Sequence, residues 1–202
     1  MSDLERALRD PGAAAFDLDR WSTTLAERAS AAGLVDVAHA GYDSPLGQLT
    51  IYVTDRGLVR LAYPGEPLDD QLAELAAVIS PRIMRAPQRT DAVRRQLDEY
   101  FAGERRAFEV AVDWRLIRGF AERVLRVTSR IPFGRVSTYR DVAAEAGSPR
   151  AFRAAGNALG SNPIPIVVPC HRVLHASGGL GGYAGGLERK RYLLDLESHG
   201  TG

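Results

Sequence analysis

The pattern of apolar residues changes twice along the chain, at about residue 36 and again at about residue 116. From 36 to 63, short apolar runs are separated by Ser44-Pro45-Leu46-Gly47 and by Asp55-Arg56-Gly57, which are turn signals between β-strands. From 116 onward, most apolar residues recur at helical spacing. Because 202 residues suffice for one large domain or two small ones, the pattern predicts an α/β domain followed by a mainly α domain.

The α/β domain is predicted to span 36–112. Its apolar runs predict four strands and two helices, with the strands at 36–42, 48–54, 58–63 and 108–112 and the helices at 68–79 and 90–101. Residues 1–35 precede it as a helical extension, in which Pro11-Gly12 separates two short helices and the second covers 18–32. Nothing in the extension indicates a chemical role.

The mainly α domain is predicted to span 116–199, with helices at 116–130, 138–146, 149–159 and 187–196. Gly147 and Ser148-Pro149 supply the turn between the second and third of these helices. A helix, a short Gly-containing turn and a second helix form the helix-turn-helix signature. The second helix of the pair carries Arg150 and Arg153 among small side chains, which allow a helix backbone to approach a groove closely.

Charge is divided unequally between the two halves. Residues 1–115 carry 14 Arg and 19 acidic residues, a net charge of −5, whereas residues 116–202 carry 12 basic and 6 acidic residues, a net charge of +6. The basic half suggests contact with a polyanion, and the alternative is a basic surface that is merely solvated. Lys190 is the sole lysine, and the many arginines favour forked contacts to phosphate.

Composition excludes several classes of protein. The single cysteine forbids an internal disulfide and a multi-cysteine zinc site, and the four histidines show no ligand spacing, so we expect no metal. No apolar run approaches the roughly 18 residues of a membrane span. The acidic start at 1–5 is not a signal peptide, and we expect a cytoplasmic protein.

The single cysteine, Cys170, is followed directly by His171 and Arg172 at the end of an apolar segment rich in proline. The thiolate is the reactive form of cysteine, and a nearby base or positive charge raises its population. A lone cysteine is often only a small buried apolar residue. The flanking imidazole and guanidinium favour a nucleophile instead.

Six glycines surround Tyr183 between residues 178 and 186. Residues 179–184 formally match the G-x-G-x-x-A variant of the dinucleotide-binding fingerprint. Only sixteen residues follow Gly186, too few for the helix, the second strand and the acidic ribose ligand that this fingerprint requires. No Gly-Lys-Ser/Thr follows either, which excludes a nucleotide P-loop. We therefore expect a mobile loop that exposes its backbone and forms a wall of a pocket beside Cys170.

Several motifs, taken together and in order, resemble those of the O6-alkylguanine-DNA alkyltransferases. They are Pro132-Phe133-Gly134-Arg135-Val136-Ser137-Thr138-Tyr139, Arg153-Ala154-Ala155-Gly156, Ser161-Asn162-Pro163, Pro169-Cys170-His171-Arg172-Val173 and Tyr183-Ala184-Gly185-Gly186. The likeness covers 116–197 closely and 36–112 loosely. It implies a ribonuclease-H-like N-terminal domain and a winged helix-turn-helix-like C-terminal domain. It also implies a monomer without a cofactor that flips an alkylated guanine out of double-stranded DNA. The alkyl group then moves irreversibly to the protein's own cysteine, and O4-alkylthymine is a possible further substrate.

The resemblance also implies a catalytic set of Cys170, His171, Glu197 and Asn162. Cys170 would accept the alkyl group, His171 would ionise it through a water, Glu197 would orient His171, and Asn162 would brace the turn that holds the active-site strand. Adjacent residues of an extended strand point to opposite faces, so a bridging water suits the Cys170–His171 pair.

The residues that the resemblance implies for substrate and DNA binding are Tyr139, Arg153, Arg172, Val173 and Tyr183. Arg153 would fill the gap left by the flipped base, and Tyr139 would push on the neighbouring phosphate. Tyr183 would line the guanine pocket, and the main chains of Cys170 and Val173 would read the base edge. The chain departs from the family pattern at Ala184, where a hydroxyl residue is often found.

Three other functions are compatible with parts of the sequence. A non-catalytic sensor of alkylated DNA has the same fold, but lacks the cysteine that is present here as Cys170. A helix-turn-helix transcriptional regulator needs no thiol beside a Gly-rich loop. A cysteine hydrolase needs an oxyanion hole and a separate histidine partner, and the sequence indicates neither.

Overall fold

In the computed structural model, which describes residues 18–199, a four-stranded sheet forms the centre of the first half. Its strands are β1 (Val37–Ser44), β2 (Gly47–Thr54), β3 (Gly57–Ala62) and β4 (Ile83–Arg85). Their order is β3-β2-β1-β4, in which β1, β2 and β3 are antiparallel and β4 is parallel to β1. The two predicted turns connect β1 to β2 and β2 to β3. Gly57 has a φ of +126°, and a side chain there would collide with the backbone of Ala111.

Three helices pack around this sheet: α1 (Leu18–Ala31), α2 (Leu68–Val78) and α3 (Asp91–Phe101). All three agree with the predicted helices to within one residue at each end. Helix α1 buries Ala26 and Ala29 in the main core, so the described part of the predicted extension, 18–35, packs against that core. The first predicted helix, within residues 1–17, lies outside the described residues.

The predicted strand at 108–112 is wrong. Only Val112 forms an isolated bridge, with Leu58, and the flanking hydrogen bonds run from Leu58 N to the oxygen of Ala111 and from Asp113 N to the oxygen of Leu58. The pairing ends there because Asp113 caps a 3₁₀ turn at Trp114–Leu116 through the backbone N–H of Arg115. Strand β4 was not predicted, since three residues are too few to show alternation.

The second half contains four helices and a two-stranded parallel sheet. The elements are α4 (Gly119–Thr128), β5 (Ser137–Thr138), α5 (Tyr139–Glu145), α6 (Phe152–Gly160), β6 (Val173–Leu174) and α7 (Leu187–His199). Thr138 caps α5 by accepting a hydrogen bond from Asp141 N at 3.2 Å. Helix α6 begins later than predicted because residues 148–151 form a turn, in which Ala151 N donates to the oxygen of Ser148. The helix-turn-helix pair is therefore α5 and α6.

The two halves share one core. Buried residues from the sheet, such as Ile51 and Leu61, belong to the same cluster as Ile164, Ile166 and Val168 of the second half. Hydrogen bonds also join the halves, because Leu61 N donates to the oxygen of Pro163 at 2.8 Å. Within residues 18–199, none of the helices is long and apolar enough to cross a membrane.

Candidate active site

Cys170 lies on a 3₁₀ turn, Cys170–Arg172, and not on the extended strand that the sequence predicts. The residues before it already form turns, since Val168 N donates to the oxygen of Ile164 and Cys170 N donates to the oxygen of Val168. Ile166 has a φ of +71°, a conformation that is strained for a β-branched residue. The turns place Cys170 at the interior, where 4% of its surface is exposed.

Asn162 holds this turn and also contacts the thiol. Its Nδ2 donates to the oxygen of Val168 at 2.9 Å and to Sγ of Cys170 at 3.2 Å, while its Oδ1 accepts from Ile164 N at 3.0 Å. The side chain is buried, so every one of these bonds is shielded from water. The family resemblance implied the bracing contacts, whereas the direct bond to sulfur is visible only in the structure.

The thiol of Cys170 is protonated in the resting protein. Burial raises its pKa to about 11, although the hydrogen bond from Asn162 and the positive charge of Lys190 act in the opposite direction. At neutral pH the reactive thiolate is therefore scarce. A base is needed to generate it.

His171 is the titratable side chain next to the thiol in sequence, and it is fully buried. Burial lowers its pKa and outweighs the opposite effect of Glu197, so the ring is neutral at pH 7. Its Nε2 lies 2.9 Å from Oε1 of Glu197, which makes Nε2 the protonated nitrogen because a carboxylate only accepts. Nδ1 is then a free acceptor, and it has no hydrogen-bond partner among the described residues.

Glu197 is the centre of a buried polar cluster. It accepts hydrogen bonds from Tyr100 at 2.7 Å, from Gly134 N at 3.2 Å, from His171 and from both Nε and Nη2 of Arg172 at 2.9 and 2.8 Å. Burial alone would raise its pKa, but the hydrogen bonds from His171 and Arg172 hold it at about 2. Glu197 is therefore ionised, as an acceptor of these donors must be.

The structure places the side chain of Arg172, which the resemblance assigns to substrate and DNA binding, in the interior of the protein. Its side chain is 7% exposed, pairs with Glu197 and donates through Nη1 to the oxygen of Ile131 at 2.5 Å. A guanidinium that is withdrawn from water needs such a partner, and a partner inside the protein leaves it unavailable to a phosphate.

Lys190 is a further buried cation, and sequence reasoning missed its role. It is fully buried, and its Nζ donates to the oxygens of Val173, at 2.7 Å, and of Leu180. Burial lowers its pKa to about 8. The one sequence feature that could have drawn attention to this residue is that it is the sole lysine of the chain. The contact fixes the main chain of Val173, one of the two residues implied to read the base edge.

A cavity of about 600 Å³ brings together three of the predicted substrate-binding residues, Tyr139, Arg153 and Tyr183. Phe152 and His175 also line it and were not predicted, and Cys170 is not among the lining residues. Burial raises the pKa of Tyr139 and of Tyr183, and ionisation of Cys170 would raise both further. Two side chains of the cavity wall are therefore within electrostatic range of the candidate nucleophile.

The Gly-rich loop forms one wall of this cavity through Gly182, Tyr183 and Ala184, as predicted. Two other glycines of the loop leave room for the rings of neighbouring tyrosines. Gly181 has a φ of +68°, and a side chain there would collide with the hydroxyl of Tyr139. A Cβ at Gly185 would lie 2.7 Å from the ring of Tyr63. At these positions the absence of a side chain is a packing requirement.

The helix-turn-helix pair presents cationic side chains at the mouth of the cavity. Phe152 of α6 lies against Arg140 and Arg153, each guanidinium being 5.6 Å from the ring centroid. Arg153 is exposed and lines the cavity. This arrangement offers positive charge to a polyanion next to the pocket.

Comparison with known proteins gives a consistent result over most of the chain. Residues 37–114 match the model of the 6-O-methylguanine DNA methyltransferase ribonuclease-like domain, and residues 119–199 match that of the 6-O-methylguanine DNA methyltransferase DNA-binding domain. The methylated-DNA–protein-cysteine methyltransferase of Mycolicibacterium paratuberculosis is 43% identical over 77% of this chain and 88% of its own length. The constitutive enzyme of Bacillus subtilis with the same name is 38% identical over 77% of this chain and 92% of its own length.

Solved structures agree with this assignment. The crystal structure of Mycobacterium tuberculosis O6-methylguanine methyltransferase matches with a TM-score of 0.71 and 38% identity, over 82% of this chain and 95% of that one. The crystal structure of Mycobacterium tuberculosis OGT in complex with DNA matches with a TM-score of 0.70, over 81% of this chain and 94% of that one. The expected fold, a ribonuclease-like α/β domain followed by a mainly α DNA-binding domain, is confirmed. The chain belongs to the 6-O-methylguanine DNA methyltransferase family of DNA-repair proteins.

Proposed function

We propose that this protein repairs DNA by transferring the alkyl group of O6-alkylguanine to Sγ of Cys170 in a single turnover. The observation that carries the proposal is the buried thiol beside a neutral histidine, whose Nε2 is bound by Glu197 and whose Nδ1 is left as an acceptor. The buried sulfur is otherwise protonated, and Nδ1 is the base that a bridging water would connect to it.

The proposed reaction begins with the transfer of the Cys170 proton through water to Nδ1 of His171. Glu197 stabilises the imidazolium that forms, as an adjacent carboxylate does in nucleophilic triads. The thiolate attacks the alkyl carbon, so that an S–C bond forms while the C–O6 bond breaks and its electron pair stays with guanine. A tyrosine hydroxyl of the cavity wall donates its proton to a ring nitrogen of the departing guanine, and the proton held by His171 then restores that hydroxyl, so that the products are neutral. The product is a thioether on Cys170, and because thioethers are stable, the protein does not turn over.

The helix-turn-helix pair supports the DNA-binding part of the proposal. The cavity is lined by Tyr139, the first residue of α5, and by Arg153 of α6, so a base that leaves the duplex at α6 would enter it. Extrusion of a base costs a few kcal/mol of stacking, and an inserted guanidinium compensates part of that cost. Arg153 is the exposed cation at the right place for this insertion.

The proposal also includes the domain division and the state of the protein. The α/β domain would span 36–112 and the DNA-binding, alkyl-accepting domain 116–199, with 1–35 as an extension. The protein would act as a cytoplasmic monomer on double-stranded DNA. O4-alkylthymine would be a further substrate, with the missing hydroxyl at Ala184 affecting the contact to the alkylated oxygen.

The direct test is the intact mass of the protein after exposure to a duplex that contains O6-methylguanine. We expect a gain of one methyl group that peptide mapping assigns to Cys170. We expect Cys170→Ser to gain no mass yet to bind the duplex nearly as well, because a serine hydroxyl is far less ionised than a thiol at neutral pH. An unchanged wild-type mass, or a methyl group on another residue, would refute the proposal.

A further inference from the structure

Tyr63, at the end of β3 in the sheet half, reaches the candidate active site of the other half. Its hydroxyl lies 2.7 Å from the hydroxyl of Tyr183, and the two rings meet edge to face with centroids 6.0 Å apart. Tyr63 is 6% exposed, and the charge of Cys170 is one of the influences that raise its pKa, after burial. A residue of the ribonuclease-like domain therefore lies within the electrostatic reach of the thiol.

Tyr63 is held firmly in this position. Its backbone N–H donates to Oε1 of Glu66 at 2.9 Å, and the guanidinium of Arg189 lies 5.1 Å from the centre of its ring. Arg189 also donates to the oxygens of Leu46, at 2.9 Å, and of Gly185, at 2.8 Å. Arg189 therefore contacts the sheet half, the ring of Tyr63 and the Gly-rich loop at the same time.

The position of each tyrosine decides which hydroxyl can donate to a guest. Each carries one proton, so one tyrosine donates and the other accepts. The 2.7 Å separation of the two oxygens fits either direction. Tyr183 lines the cavity, whereas Tyr63 is not among its lining residues. With a hydrogen-bond acceptor in the cavity, Tyr183 can donate to that acceptor while Tyr63 donates to Tyr183, so that both protons have a partner.

We infer that Tyr63 is a positioning residue of the alkyl-acceptor site, contributed by the N-terminal half of the chain. It sets the orientation of Tyr183 and directs the Tyr183 proton toward a hydrogen-bond acceptor on the purine that occupies the cavity. This inference rests on the proposed function, since it assigns a purine to the cavity. It predicts that substrate binding depends on a hydroxyl that lies 120 residues away in the chain from its partner.

A double-mutant cycle tests the inference. Tyr63→Phe, Tyr183→Phe and the double variant are compared by single-turnover reaction with free O6-benzylguanine over a range of concentrations. We expect Tyr63→Phe to raise the half-saturating concentration about three- to tenfold, as for the loss of one hydrogen bond, with little change in the maximal rate. Tyr183→Phe should raise that concentration at least as much, because it also removes the hydroxyl that meets the purine. Because both substitutions remove the same bond, the double variant should be no worse than the poorer single one.

Tyr52→Phe is the matched control. Tyr52 lies in β2 and belongs to a second, separate cluster of the core, where its buried hydroxyl donates to Gln71 at 2.9 Å. The Tyr52→Phe substitution should lower the melting temperature as Tyr63→Phe does but leave the half-saturating concentration unchanged. If Tyr52→Phe raised that concentration equally, the effect would be one of general stability and the inference would be wrong.

The other outcomes are equally distinct. Losses that simply add in the double variant, or a Tyr63→Phe protein with the wild-type half-saturating concentration, would overturn the inference. Phenylalanine keeps the ring that packs on Gly185, so Tyr63→Phe removes the hydroxyl bond while retaining the packing. Tyr183→Phe also removes the hydroxyl that meets the purine, so its loss is the reference against which the double variant is compared. Failure of the wild-type protein to accept any alkyl group would instead refute the proposed function.

Discussion

The carboxylate of Glu197 has two roles, one toward His171 and one toward Arg172. It holds Nε2 of His171, and it neutralises the guanidinium of Arg172 that burial would otherwise leave unpaired. Breaking a buried ion pair by removing one partner is costly because it leaves an uncompensated charge, typically about 3–5 kcal/mol. A substitution at Glu197 therefore affects both chemistry and stability, and the two effects must be measured separately.

Glu197→Gln should slow alkyl transfer and move its pH optimum upward. The amide keeps the size of the side chain but removes the charge that favours an imidazolium, so His171 becomes a weaker base and Cys170 is harder to ionise. Single-turnover rates from pH 6 to 9, taken at a temperature where the variant is folded, test this. Glu188→Gln, an exposed change on the same helix, is the control and should leave the profile unchanged. An unshifted profile for Glu197→Gln would exclude the proton relay.

At the scale of elements, helix α6 links the cavity to the face that we propose to bind DNA. It contributes Gly156 and Arg153 to the cavity lining and carries Phe152 at its first position. The Tyr139 ring lies beside α6 at Gly156, where a Cβ would be 3.8 Å from the ring, an ordinary van der Waals contact. The helix is therefore placed both to approach DNA and to form a wall of the pocket.

Arg153→Ala should harm the repair of duplex DNA much more than the reaction with free O6-benzylguanine. The free base needs no flipping, whereas extrusion from the duplex costs a few kcal/mol, so a difference of about tenfold or more is expected. The ratio of single-turnover rates on the two substrates measures the effect. Arg126→Ala, which removes the same charge from α4 outside the cavity lining, should leave the ratio near its wild-type value. Equal losses on both substrates would assign Arg153 to chemistry or folding.

At the scale of the whole molecule, the buried cluster around Glu197 joins the two halves. Tyr100 of α3 donates to Glu197 of α7, although the two residues are 97 positions apart. The stability of the contact between the two halves is therefore linked to the charge of the Glu197 carboxyl group.

The lowered pKa of Glu197 predicts how the free energy of unfolding depends on pH. The folded pKa of Glu197 is about 2, below its ordinary value of 4.5, so its contribution is complete above pH 4.5 and is lost as the pH falls toward 2. The shift corresponds to about 3 kcal/mol. The difference in unfolding free energy between the wild type and Glu197→Gln, measured by urea unfolding at pH 6 and pH 2, should shrink by most of that amount. A constant difference would show that Glu197 titrates normally.

The sequence by itself determined the order of the elements and the identity of the candidate nucleophile. Turn signals and hydrophobic spacing are local, so they placed β1, β2, β3 and the seven helices α1 to α7 to within a few residues, and the unique Cys170 beside His171 marked the chemistry. The strand predicted at 108–112 and the strand predicted before Cys170 were wrong, because local hydrogen bonds of turns formed in both places instead of a ladder.

Only the tertiary structure decided which distant side chains meet. Arg172 stands next to the nucleophile in sequence, yet it turns inward because its buried charge needs Glu197, and Lys190 reaches two carbonyl oxygens that no spacing rule connects to it. The hydroxyl pair of Tyr63 and Tyr183 likewise exists only because the two halves pack against each other. Separation along the chain carries no information about such pairs, since burial and the direction of each side chain are set by the packing of the whole molecule.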